Sequence, residues 1–147
     1  MSSLILYAKG PSYRLVLVAL AEHRIMSSEQ LRGLVLRCGP ARARRRLRLL
    51  FDNSLVRRLR FPAYPGVPPC LYILSKDGAA IVAERTHLAA VPKRPPKPPL
   101  VRHRYLVCES CVALREAVRA LSSWRVLEWR HEEALRVPGE KGPPKGK

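Results

Sequence analysis

The sequence predicts a mainly α fold with a β-hairpin: a winged helix-turn-helix followed by a short helix–strand unit. Three observations carry that prediction. Ser27-Ser28-Glu29-Gln30 is a capping box, with Gln30 placed to reach back to Ser27 and open the second of three helices. Gly39-Pro40 gives a tight stop and a fresh start, as between the paired helices of a helix-turn-helix. Two strand-like runs, residues 55–61 and 71–74, are then separated by F-P-A-Y-P-G-V-P-P-C, a segment of turn formers.

Each element has its own signal. Residues 12–23 are apolar enough for a central helix. Met26 and Leu31 stand at the N′ and N4 positions of a hydrophobic staple, so the second helix starts at Ser28 and ends before Gly39. The third helix runs over 41–53, because Ala43, Leu47, Leu50 and Ser54 recur at the i, i+4, i+7, i+11 spacing of one face. Arg42, Arg45 and Arg48 fall on the opposite side, with Arg44 and Arg46 on its flanks. In the first strand Leu55, Leu59 and Phe61 take one side, and Arg58 and Arg60 the other. Leu71-Tyr72-Ile73-Leu74 pairs back, and Ser75 caps a last helix over 76–85.

Charge narrows the function. The formal net charge is +17 over 147 residues and the pI is near 10.9, the electrostatic footprint of a polyanion binder. Residues 37–60 hold nine arginines against one acid, Asp52. An arginine-rich genome raises arginine everywhere, but here it crowds one helix and the strand after it. Five arginines in a helix's first two turns also oppose its macrodipole, which helix stability alone does not ask for. No apolar run approaches a membrane span, and the start of the chain lacks the features of a signal peptide, so a cytoplasmic location is expected.

Proline and glycine divide the rest. Residues 1–91 form the winged domain, the P-K-R-P-P-K-P-P linker at 92–99 is expected to be extended, and the tail at 138–147 has nothing to bury. Residues 100–137 are expected to hold a helix over 103–124 and a strand over 126–130. Val107, Cys111, Leu114, Val118 and Leu121 make a 4-3-4-3 seam, with Leu106, Ala113, Ala117, Ala120 and Trp124 as a neighbouring stripe. One stripe would pack on the winged helix or on the 126–130 strand while the other meets a second protomer. The linker would let that pairing form without straining the first domain.

Catalysis and metal binding find little support. Cys108-Glu-Ser-Cys111 is half of a zinc site, but structural zinc needs four ligands. Cys38 and Cys70 are isolated, and only His103, His131 or a symmetry mate would complete the set. The i, i+3 spacing within an apolar helical stripe reads instead as two buried thiols. The four histidines are scattered, no glycine loop suits phosphate, and His131-Glu132-Glu133 reads as a solvated turn. No cofactor, metal, small-molecule ligand or enzymatic activity is expected.

Tyr72-x-Leu74-Ser75-x-x-Gly78, after a basic amphipathic helix, resembles bacterial winged-helix regulators. More narrowly, A-R-R-R-L-R-L-L…L-V-R-R, Y-I-L-S-K-D-G-A-A-I and H-R-Y-L-V with L-S-S-W-R-V-L-E-W-R resemble the replication-relaxation family of plasmids and integrative elements, over roughly residues 12–135. Longer members look as though a nuclease-like α/β unit follows the tryptophan-bearing strand. This chain departs there: Arg130-His131-Glu132-Glu133 and the proline-glycine tail follow Trp129, and no nuclease activity carries over.

The reading is a homodimer that binds duplex DNA sequence-specifically and regulates transcription or replication of a plasmid or mobile element. The third helix would enter the major groove, with Arg42, Arg45 and Arg46 nearest the bases and Arg44 and Arg48 on phosphates. Arg37 precedes that helix, while Arg57, Arg58, Arg60 and the linker lysines would anchor the backbone. The uncharged wing at 62–69 offers only Tyr64, which would touch a sugar or phosphate or pack on the prolines. The alternative is a winged-helix module whose basic face grips an acidic protein surface, such as a polymerase or replication factor.

Overall fold

The computed structural model describes residues 10–62, 64–86 and 96–130. It is a winged helix: helices α1 (Pro11–His23), α2 (Ser28–Leu31) and α3 (Pro40–Asp52) are followed by strands β2 (Val56–Leu59) and β3 (Leu71–Leu74) and helix α4 (Lys76–Arg85). Helix α5 (Pro98–Arg119) completes the described chain, and a two-residue strand β1 (Met26–Ser27) precedes α2. The strands form an antiparallel sheet in the order β1-β3-β2, with Met26 opposite Tyr72 and Arg58 opposite Tyr72 on the other edge.

The capping box is present as read. Ser27 Oγ accepts from the Gln30 N–H at 3.1 Å, and the Ser27 N–H donates to Gln30 Oε1 at 2.8 Å. The helix then loosens: residues Arg32–Leu36 are π-helical, closed by the Arg37 N–H donating to the Arg32 carbonyl at 2.7 Å. Arg37 ends this segment at φ 43°, in the left-handed region. Gly39 and Pro40 then start α3, with proline in the first turn, where its missing N–H costs nothing.

Ala43, Leu47 and Leu50 are buried, as their spacing predicts. Ser54 departs from that face. It lies past the helix at φ 58°, with its N–H on the Phe51 carbonyl and the Leu55 N–H on the Leu50 carbonyl, a Schellman stop. The next turn explains the Tyr72-x-Leu74-Ser75-x-x-Gly78 pattern. The Ser75 N–H donates to the Leu55 carbonyl at 3.1 Å, its hydroxyl donates to the Ser54 carbonyl and accepts from the Gly78 N–H at 3.0 Å. A Cβ at Gly78 would collide with the Leu55 carbonyl oxygen, so only glycine fits where α4 crosses that strand start.

Two cores lie on the two faces of the sheet. Val16, Leu17 and Leu20 of α1, Leu31, Leu47 and Leu50, and Val56, Tyr72 and Leu74 of the sheet form the larger one, with Ile81 and Val82 of α4. On the other face Ile25, Phe61, Leu71 and Ile73 pack beneath Val101 and Tyr105 of α5. Gln30, itself buried, ties α5 down: its Nε2 donates to Glu109 Oε1 at 2.6 Å and to the Tyr105 carbonyl at 3.3 Å.

The C-terminal part therefore differs from the sequence reading in three ways. Pro98 and Pro99, counted as linker, form the first turn of α5, which tolerates proline because its N–H groups have no helical partner. The helix ends at Arg119 rather than Trp124, and residues 122–130 form no strand. The segment from residue 100 is not set apart from the winged domain; Val101 and Cys108 belong to its cores. The 138–147 tail lies outside the described residues, as do Lys93 and His131.

Candidate nucleic-acid interface

Burial of Ala43, Leu47 and Leu50 turns the arginines of α3 outward. Arg42, Arg44, Arg45 and Arg48 are exposed, and Arg46, beside the buried stripe, is half-buried. The first turn of α3 contains no acid, and its one acidic residue, Asp52, lies in the last turn. There it faces Arg48, 3.6 Å from Arg48 Nε to Asp52 Oδ2, with both side chains largely in solvent; an exposed i, i+4 pair of this kind contributes about 0.3–0.5 kcal/mol and leaves the guanidinium available.

The sheet sorts the remaining arginines. Cross-strand partners share a face and successive residues alternate, so Arg58 sits with Tyr72 on the side of the larger core, and Arg57 with Ile73 on the other. The Arg58 guanidinium lies 4.3 Å above the Phe51 ring of α3 and 5.9 Å from the Tyr72 ring. This cation–π stack fixes a charge at the seam between α3 and the hairpin. Arg57 is exposed on the opposite face, and Arg60 is exposed just beyond the strand. The structure thus joins Arg58 to the α3 surface and separates Arg57 from it.

Tyr64 packs edge-on against Phe61, ring centroids 4.8 Å apart, and Phe61 meets Tyr105 of α5 in the same way at 5.0 Å. The wing tyrosine is therefore part of an aromatic cluster under the hairpin, with 39% of its surface still exposed. Arg37, exposed at the helix-turn-helix turn, stands beside the start of α3.

The cysteine pair sits in packing. Cys108 and Cys111 are buried; desolvation, with the neighbouring Cys111 and Glu109, pushes the Cys108 thiol up to about 12. Desolvation raises Cys111 too, against the pull of Arg115. Both are protonated thiols near neutral pH, the poor nucleophiles and ligands that buried cysteines are. Among the described residues no three His, Cys, Asp or Glu side chains converge as a metal site would require.

Of the proposed dimer seam, Cys111 is spent inside the chain and Val107 and Val118 are partly buried. Leu114 and Leu121 stay exposed, as do Leu106, Ala113 and Ala117 of the neighbouring stripe. No helix among the described residues is long and apolar enough to cross a membrane.

Residues 17–138 match the model of the replication-relaxation family. The chain belongs to that family. The match runs from within α1 through the rest of the winged helix and α5, and it points to a role in replication or relaxation of plasmid or mobile-element DNA. Comparison with curated proteins and with solved structures gives no match.

Sequence reasoning missed β1, and it left the docking of α5 on the winged helix as one of two options without finding Val101 and Cys108 as the contacts. A signal for the second was present. All four residues of β3 are apolar and all four are buried, and an unbroken apolar run marks a strand covered on both faces.

Proposed function

We propose that this replication-relaxation family member is a sequence-specific duplex DNA-binding protein that acts without catalysis, controlling replication or transcription of a plasmid or mobile element. One observation carries the reading: the exposed side of α3 is arginine from its first turn onward, and Arg58 is stacked onto the same surface by Phe51. A helix presented by a helix-turn-helix enters the major groove with its N-terminal residues on base edges. Arg42 and Arg45 stand where base contacts are made, and Arg44, Arg48 and Arg58 where phosphates run. Arg46, half-buried, contributes to the flank more than to the reading edge.

The protein acts as a homodimer in this reading. The outward stripe of α5, Leu106, Ala113, Leu114 and Ala117, would meet its copy, because Cys111 of the seam read from the sequence is already buried within the chain. Two linked half-sites would then bind with the avidity of a bivalent ligand.

The test is selection of bound duplexes from a random pool by the parent and by Arg42→Ala/Arg45→Ala. The parent should enrich a site with two related halves. The variant should lose that enrichment, since each base-reading arginine is worth about 1–3 kcal/mol of discrimination. A variant that selects the same site as its parent would remove α3 as the reading element. A parent that selects nothing, yet binds an acidic protein surface, would favour the interaction-module alternative.

A further inference from the structure

A second basic surface lies where the chain leaves α5. Residues 120–124 turn back on themselves, with the Leu121 N–H on the Val118 carbonyl at 3.0 Å and the Trp124 N–H on the Leu121 carbonyl at 3.2 Å. The turn brings Trp124 and Arg125 beside Arg119 and Arg115 of α5 and beside Arg37 of the helix-turn-helix turn. Together they line an open concavity of about 300 Å³.

Four guanidiniums in one concavity need counter-charge, and the described residues supply little. Glu128 on its rim is bonded to Arg130 at 2.7 Å. Arg115 is drawn toward Glu22 and Cys111. Arg37, Arg119 and Arg125 pair with no carboxylate among the described residues. In their midst the Trp124 side chain is 69% exposed. In a duplex the bases are stacked on one another and offer an indole no free face, which leaves only its N–H to reach a phosphate. An exposed aromatic ring among arginines is the arrangement that receives an unpaired base, with the ring on its π-face and the guanidiniums on the adjoining phosphates.

We infer that Trp124, with Arg37, Arg119 and Arg125, forms a binding site for single-stranded nucleic acid. Through Arg37 the site abuts the start of α3, so a strand leaving a duplex held on α3 is delivered to it. The inference extends the duplex-binding reading and takes its polyanion from it. The site itself stands on Trp124, which that reading does not use.

The test is a fluorescence titration of the Trp129→Phe protein, in which Trp124 is the one remaining tryptophan. The probes are a ten-nucleotide oligothymidine strand, a blunt random-sequence duplex and inorganic phosphate. Oligothymidine should quench Trp124; phosphate should not. Anisotropy of a labelled strand, which needs no change at Trp129, should show Trp124→Ala weakening single-strand binding about five- to 150-fold. Arg119→Ala/Arg125→Ala should weaken it as well, and Trp124→Ala should leave blunt-duplex affinity unchanged. Absence of quenching, or a Trp124→Ala protein with parental single-strand affinity, overturns the inference. Arg42→Ala/Arg45→Ala separates the two readings: it should lose duplex selectivity and keep the quenching. Quenching retained in a protein that selects no duplex would sink the duplex reading and leave this one standing.

Discussion

Gln30 shows how much one side chain can hold. It closes the capping box with Ser27 and, from the same amide, reaches Tyr105 and Glu109 of α5. Gln30→Ala strands the Ser27 N–H and removes both ties to α5, and a buried polar group left unsatisfied costs about 1–3 kcal/mol. Urea unfolding should show that loss. A smaller effect is expected at Glu22, whose carboxyl burial pushes up, against the pull of Arg115. A raised carboxyl in the folded state means stability is fully present below the unfolded value of about 4.3 and is lost as pH rises through the folded one. Glu22→Gln should therefore unfold at a higher temperature than the parent at pH 7, and the difference should vanish below pH 4. A gap that persists in acid would assign the effect to something other than ionisation.

The elements divide into those with local signals and those without. The capping box, Gly39-Pro40, the arginine face of α3 and the Ser75 cap were legible because each is set by residues within one or two turns. The stop of α3 was half legible. Ser54 fits the helical spacing, yet the Schellman geometry puts it in the left-handed region, where a residue with a Cβ is strained by about 1–2 kcal/mol. Ser54→Gly should relieve part of that and raise stability by up to about 1 kcal/mol, since the Ser54 carbonyl that holds Ser75 is retained. A destabilised glycine variant would mean the serine side chain matters more than its backbone. The π-helical turn and β1 have no local signature: β1 exists because β3 pairs with it. The start of α5 was hidden by composition, as prolines that bar a helix interior are welcome in its first turn. The arginines of the candidate interface were visible in the sequence, but the separation of Arg57 from Arg58 needed the register.

At the scale of the molecule, α5 is the lid of the sheet's second face rather than an appendage on a linker. Deleting residues 98–147 would expose Phe61, Leu71 and Ile73 and open the larger core at Cys108. Burial of large apolar side chains is worth about 1.5–3 kcal/mol each, so the truncated chain should be markedly less stable, with an earlier urea midpoint or aggregation. A truncated winged helix as stable as the whole chain would restore the two-unit reading.

The salt dependence of binding tests most directly whether α3 is the surface that meets duplex DNA. Affinity for a random-sequence duplex should be measured across a salt series for the parent, for Arg44→Ala/Arg48→Ala and for Arg57→Ala. The slope of log affinity against log salt reports released counterions, about 0.9 per phosphate neutralised. The parent should show a steep slope. The α3 variant should show a slope shallower by about one for each phosphate it no longer neutralises. Arg57→Ala, on the opposite face of the sheet, should keep the parental slope. A slope unchanged by the α3 substitutions, with Arg57→Ala lowering it, would place the DNA on the other face of the sheet and rule out α3 as the duplex-binding surface.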